Sequence, residues 1–362
     1  MLYTSYPALH NHIAFKIMLE YLGAEFIEPP EFTEDMIKYG NKRSPEYSCV
    51  PFKFYLAMFR EAAKHGIDGA FIYGARNMRA CRYDDLRKGI EKILKDEGLN
   101  FKLVTWGGYG AKKSFEQLKS ATANPSFLKM LKAILLFTKM LDATDKVDDL
   151  ANFMRPRERK EESVDEWLDA SMDKFKQAKI GRDIKMVLKQ SIDEAKKIGL
   201  DENRKILEVA VIGDVFKIHE PFMHFDTIRK LAKLGVHAKQ SQPFHRIFRG
   251  GNKFPLPKKE RFSYLQKKAR KYIRSLPASY IDIGIGEAIL ACEEGANGII
   301  HFQTFGCMPD IMMKPILAKV AKDYKIPIMH YMRDTHSSDE GYKTRLEAFV
   351  DLINRKNSNA NS

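Results

Sequence analysis

The chain has little cysteine and no long apolar run. Its 362 residues include only 4 cysteines, at positions 49, 81, 292 and 307, too few and too scattered for a disulfide framework. In a reducing compartment, cysteines on loops read as metal ligands, redox groups or buried apolar residues. No apolar stretch approaches the ~18–20 residues that span a bilayer. The segment Met1-Leu2-Tyr3-Thr4-Ser5-Tyr6 has no basic run followed by an apolar core, so the expectation is a cytoplasmic protein without a secretory signal. A glycine-rich phosphate loop is also missing. Trp106-Gly107-Gly108-Tyr109-Gly110 lacks the glycine order of a phosphate-binding fingerprint and reads as a hinge. Strand signals vanish from about residue 112 to 200, and no internal repeat is evident.

What is present describes a globular chain of two or three domains: 44% hydrophobic and 30% charged residues. The formal net charge is +14, with Lys258, Lys259, Arg261, Lys267, Lys268, Arg270, Lys271 and Arg274 crowded between Lys253 and Arg274. Nucleic acid, a phosphate-bearing small molecule or an acidic protein would each suit that stretch, as would a plain solvated helix face.

Helix and strand patterns alternate over the first hundred residues. Helices are expected over His10–Leu22, ended by Gly23, and from an N-cap at Thr33 to Tyr39, stopped by Gly40. Others are expected over Phe52–Lys64 and Asp84–Asp96, with strands at Ala24–Ile27, Gly69–Gly74 and Phe101–Thr105. Amphipathic helices follow at Phe127–Met140, Val164–Lys176 and Ile184–Ile198. A second α/β unit reads as strands Leu207–Ile212, Val236–Lys239, Gly298–Phe302 and Pro327–Tyr331. Its helices are Asp226–Leu234, Ile281–Glu294, Ile316–Tyr324 and Thr344–Asn354. The fold class expected is α/β, two Rossmann-like domains facing a cleft with a helical insertion. The divisions are an N-terminal domain 1–111, an insertion 112–203, a C-terminal domain 204–356 and a frayed polar tail 357–362.

Cys307 lies in Phe305-Gly306-Cys307-Met308-Pro309-Asp310, where a buried strand turns into a helix opened by proline. Taken alone it reads as a small packed thiol. Cys49 and Cys81 share its setting, on loops at the strand ends where open α/β sheets bind ligands. Three thiolates converging there would suit an iron–sulfur cluster with one iron open; zinc would need a further His or carboxylate. Cys292, inside an apolar helix, reads as a structural thiol.

Ser48-Cys49-Val50-Pro51-Phe52-Lys53, Cys81-Arg82-Tyr83 and Gly306-Cys307-Met308-Pro309 together resemble the 2-hydroxyacyl-CoA dehydratase-like family, in its branch associated with CoA-enzyme activases. The similarity extends to Gly213–Pro221, Gly284-Ile285-Gly286-Glu287, Asp334-Thr335-His336 and Thr344–Asp351. The resemblance implies an oxygen-sensitive iron–sulfur cluster, 4Fe-4S or double-cubane, held by Cys49, Cys81 and Cys307. It implies low-potential electrons from an ATP-dependent iron–sulfur activator on a separate chain, a homodimer or heterodimer, and a small-molecule or acyl-CoA substrate that is reduced or dehydrated. One departure is plain: Ala75-Arg76-Asn77-Met78-Arg79-Ala80-Cys81-Arg82 stands where the family has a glycine-rich loop ending Gly-Pro-Cys-Arg. A non-catalytic cluster carrier or assembly subunit, and a basic nucleic-acid-binding protein, are the alternative readings.

Lys53 and Arg82 follow two of the cysteines and are expected to offset the negative charge of a thiolate-ligated cluster. Glu220 and His336 are the candidate catalytic residues, a proton donor after the Gly213-Asp214 turn and a loop side chain after the last strand. His10 and His12, at a helix start, read as surface or capping residues.

Overall fold

The computed structural model describes residues 2–5, 10–73, 83–106, 111–241, 260–274 and 280–360. Two four-stranded sheets, each wholly parallel, form its α/β frame. The first contains β1 (Leu2–Ser5), β2 (Glu25–Phe26), β3 (Gly69–Tyr73) and β4 (Lys102–Trp106) in the order β2-β1-β3-β4. β1 was not expected from the sequence. It is only 4 residues long, and it becomes a strand by pairing on both sides, Tyr3 against Phe26 and Gly69.

The helices of this half follow their end signals closely. α1 (Asn11–Leu22) stops at Gly23, whose φ of +88° only glycine adopts freely. α2 (Glu34–Arg43) starts at Thr33, whose hydroxyl accepts from the Met36 amide at 3.3 Å. Gly40 does not end this helix as expected: α2 continues through it, and the glycine instead faces α3 (Val50–Lys64). A Cβ there would fall on the carbonyl oxygen of Lys53, so its role is close helix–helix approach. α4 (Tyr83–Asp96) leads into β4.

Four helices carry the strand-free region: α5 (Ala111–Ala121), α6 (Phe127–Met154), α7 (Ser163–Lys176) and α8 (Gly181–Ala195). α6 runs well past the expected end at Met140, for 28 residues. Its second half hides polar side chains that blur the apolar stripe: Asp145 and Asp148 are buried, and Asp148 meets His10 Nδ1 at 2.9 Å. His10 is thus held in a tertiary contact. These helices share one hydrophobic core with the first sheet, as in the edge-on contact of Phe15 with Phe137 at 5.0 Å.

The second sheet contains β5 (Leu207–Ile212), β6 (Val236–Gln240), β7 (Gly298–Thr304) and β8 (Ile328–Arg333) in the order β6-β5-β7-β8. Around it lie α9 (Val215–His219), α10 (Thr227–Lys233), α11 (Glu260–Ala269), α12 (Ile281–Glu293), α13 (Met308–Asp323) and α14 (Asp339–Ala360). Separate apolar clusters cover its two faces, one holding Phe302, Tyr342 and Phe349, the other Ile285, Ile299 and Leu317. Every residue of β7 is buried, as the short run of β-formers Gly298–Phe302 predicts, and the polar His301, Gln303 and Thr304 are buried with it. The tail expected to fray is helical: α14 continues to Ala360.

The two sheets repeat one strand order that the sequence does not display as a repeat. An aromatic seam joins them. Phe32 and Phe54 meet Phe222 at 5.3 and 5.6 Å, and Tyr55 meets Phe216 at 4.6 Å. α6 reinforces the junction through Asn152, which donates to Gln240 Oε1 at 3.1 Å. Asp165 adds ion pairs to Arg155 and Arg229. Among the described residues, no helix is long and apolar enough to cross a membrane.

Candidate functional site

In each sheet the strand order puts a topological switch point between the two central strands, at whose C-terminal ends open α/β sheets bind ligands. In the first sheet the residues that follow those strands, 6–9 and 74–82, lie outside the described set, and Cys81, Arg82 and the expected loop Ala75–Arg82 fall there. The hinge 107–110 and the basic residues 253–259 also lie outside it. In the second sheet the loops are Gly213-Asp214 and Phe305-Gly306-Cys307, and they carry a compact polar cluster.

Cys307 caps the N-terminus of α13, with Pro309 at its second position. Lys217, on α9, brings its ammonium to 3.8 Å from Cys307 Sγ, and Tyr280 brings its hydroxyl to 3.9 Å. Asp310, one turn into α13, holds both: Lys217 Nζ donates to its Oδ2 at 2.5 Å and the Tyr280 hydroxyl donates to Oδ1. The Thr304 amide donates to the same carboxylate at 2.9 Å. Lys217 and Asp310 are each 1% exposed. Burial alone would lower the Lys217 ammonium, but Asp310, Cys307 and Asp214 outweigh it and hold the lysine charged. Burial would likewise raise Asp310, and Lys217 and His301 overcome it, so the carboxyl stays well below its usual range. Burial pushes the Cys307 thiol up to about 12 despite the nearby lysine. In this setting the sulfur is a protonated thiol unless something displaces the proton, which a coordinated metal ion does.

Cys49 belongs to the other half of the molecule and arrives at the same place. It caps the N-terminus of α3, again with proline, Pro51, at the second helical position. The Val50 amide donates to the Phe305 carbonyl at 3.2 Å. Gly306, at φ +76°, packs so closely that an added Cβ would lie 3.2 Å from Cys49 Cα. Two Cys-x-Pro helix starts therefore meet, each with the positive end of its helix dipole on the side of its cysteine. The seam of Phe54 and Tyr55 on α3 with Phe32 before α2 and with Phe216 and Phe222 on and after α9 joins the same two elements that carry Cys49 and Lys217.

The other expected residues fall as follows. Glu220 follows α9, is 9% exposed, and has its carboxyl raised by burial to about 7, with the Phe222 amide donating to it. Close by, His224 is lowered by burial to about 3 and is neutral. Lys53 turns to Asn41, donating to its Oδ1 at 2.8 Å. His336 is exposed in a turn where its amide donates to Asp334. Cys292 is half-buried against the core of the second sheet, its thiol pushed by burial to about 11. From the basic stretch, Lys268 is engaged internally with Glu293 and the Tyr264 ring. Among the described residues, no group of three or more His, Cys, Asp or Glu side chains is arranged to hold a metal ion.

Sequence reasoning missed Lys217, Tyr280 and Asp310. Asp310 in a first helical turn looks like ordinary dipole complementation, and Lys217 and Tyr280 carry no local motif. A fourth feature, His301 on β7, pairs its Nδ1 with His330 Nδ1 across the strands at 3.1 Å and turns Nε2 toward Asp310, 3.9 Å away. No family model matches this chain. No curated protein matches it either.

Proposed function

We propose that the chain is an iron–sulfur protein akin to the 2-hydroxyacyl-CoA dehydratase-like proteins, with two Rossmann-like domains facing a cleft. The observation that carries this reading is the meeting of Cys49 and Cys307, remote in sequence, as helix caps pressed together across two sheets. Cys81, outside the described residues, is the third ligand that the resemblance implies. The donor set fits the group: two thiols at helix N-termini, with a buried lysine ammonium beside one of them to offset thiolate charge. A cluster held there would supply low-potential electrons to a small or acyl-CoA substrate, its own electrons coming from an ATP-dependent activator on a separate chain.

The protein's own groups have definable tasks in such a site. Lys217 stays charged and buried beside Cys307 Sγ, Asp310 fixes its direction, and the Tyr280 hydroxyl accepts from Lys217 Nζ at 3.0 Å. Glu220, titrating about 7, carries a proton near neutrality at the same sheet edge and is the proton donor.

Anaerobic purification tests the reading. The expected protein is brown, contains iron and sulfide, and gives an electron paramagnetic resonance signal on reduction. Cys49→Ala, Cys81→Ala and Cys307→Ala each lose most of the iron, whereas Cys292→Ala keeps it. A colourless protein after anaerobic reconstitution would sink the proposal, and equal iron loss from all four variants would refute the ligand set.

A further inference from the structure

Lys217, Tyr280 and Asp310 satisfy one another around Cys307, whereas Arg333, a cation at the same sheet edge, has two nitrogens without a hydrogen-bond partner. Arg333 is the last residue of β8, and its carbonyl accepts from the Phe305 amide at 2.9 Å, two residues before Cys307. The side chain is only 6% exposed. Its Nε and Nη1 are buried with no hydrogen-bond partner, and among the described residues no carboxylate forms an ion pair with it. The carboxylates in its vicinity are engaged elsewhere. Asp334 accepts from the His336 amide at 2.8 Å and the Ser337 hydroxyl at 2.9 Å, and Asp339 pairs with Lys230. The guanidinium carbon lies 3.5 Å from the Phe225 ring centre and 5.4 Å from that of Phe222. Such stacking orients the plane but leaves the N–H groups unanswered.

A buried, unpaired charge is among the most costly features a fold can keep, and chains keep such costs at binding sites. We propose that Arg333 is the anion-recognition residue of a ligand site at the C-terminal edge of the second sheet, taking a carboxylate or phosphate group. The planar fork of a guanidinium matches either oxyanion through paired N–H donors. Phe225 fixes its plane, and Phe222, which carries the amide that donates to Glu220, sets the ligand's anion beside the proposed proton donor. The site does not depend on whether Cys307 holds a metal, so it stands or falls separately from the iron–sulfur reading.

The test compares thermal unfolding of the full-length wild type, Arg333→Met and Arg333→Lys. The added salts are sodium chloride, sodium phosphate and sodium propionate at matched ionic strength. The wild type should gain a saturable rise in melting temperature with phosphate, propionate or both over chloride, as linkage requires of a ligand bound to the folded state. Response to phosphate alone assigns a tetrahedral group, and response to propionate alone a carboxylate. Arg333→Met should lose the response while melting no lower than the wild type in chloride, since it removes a buried charge whose Nε and Nη1 have no hydrogen-bond partner. Arg333→Lys, which keeps the charge without the fork, should need at least tenfold more anion for half-saturation. The proposal is overturned if neither anion raises the wild-type melting temperature above chloride. It is equally overturned if Arg333→Met still responds or melts lower in chloride, or if Arg333→Lys responds like the wild type.

Discussion

Glu220 holds its proton where an ordinary glutamate has lost it, and this has a thermodynamic consequence. Its folded value of about 7 lies above the reference 4.5 because burial disfavours the carboxylate. The folded state therefore binds more protons than the unfolded chain in that interval, and the resulting stability, complete below the lower value, drains away as pH rises through the upper one. The size is about 3 kcal/mol. His224 works in the opposite sense, since its folded value near 3 lies below 6.5 and its contribution grows as pH rises through that window. Comparison of wild type with Glu220→Gln isolates the glutamate. Urea midpoints should shift in favour of the variant by about 3 kcal/mol between pH 4 and pH 8; a difference that does not change with pH would contradict the burial assigned to this carboxyl.

At the scale of elements, the site rests on two helix starts and the glycine between them. Gly306 has both a positive φ and the Cys49 backbone 3.2 Å from where a Cβ would stand. Gly23 has a positive φ but open space around it, which makes it a control for backbone strain alone. Gly23→Ala should cost about 1–2 kcal/mol, the usual penalty for a side chain in the left-handed region. Gly306→Ala should cost more and, if the proposed cluster is bound there, also lower the iron content, because the Cys49 backbone must move away from Gly306. Denaturant midpoints and iron assays on both variants read the difference. Equal destabilisation with iron content intact would mean that the contact between Cys49 and Gly306 does not set the site.

For the whole molecule, the aromatic seam is what makes two sheets act together. The apolar cluster of the first half reaches across to Phe216 and Met223 of the second. Phe54, fully buried, touches both Phe32 and Phe222. Phe54→Ala should destabilise by about 3–5 kcal/mol. Since the residue sits at the junction, the loss should split one unfolding transition into two by calorimetry. A single transition, merely shifted, would show that α6 and the Asp165 ion pairs suffice to couple the halves.

Local chemistry, and therefore sequence alone, determined much of this protein. Gly23 ends α1 and Thr33 starts α2 because only those residues answer the backbone groups left open there. The run of β-formers Gly298–Phe302 marks a strand covered on both faces, and Pro51 and Pro309 stand at the two helix starts that follow the cysteines. Elsewhere the deciding partner lies far along the chain. β1 is a strand because β2 and β3 pair with it, and α6 continues past Met140 because His10 answers Asp148. Gly40 stays helical because Lys53 of α3 needs the room. The meeting of Lys217, Tyr280 and Asp310 around Cys307, and of Cys307 with Cys49, was decided only by tertiary structure. Those side chains carry no periodicity and no fixed spacing, and what unites them is the shared C-terminal edge of two parallel sheets locked together by the seam.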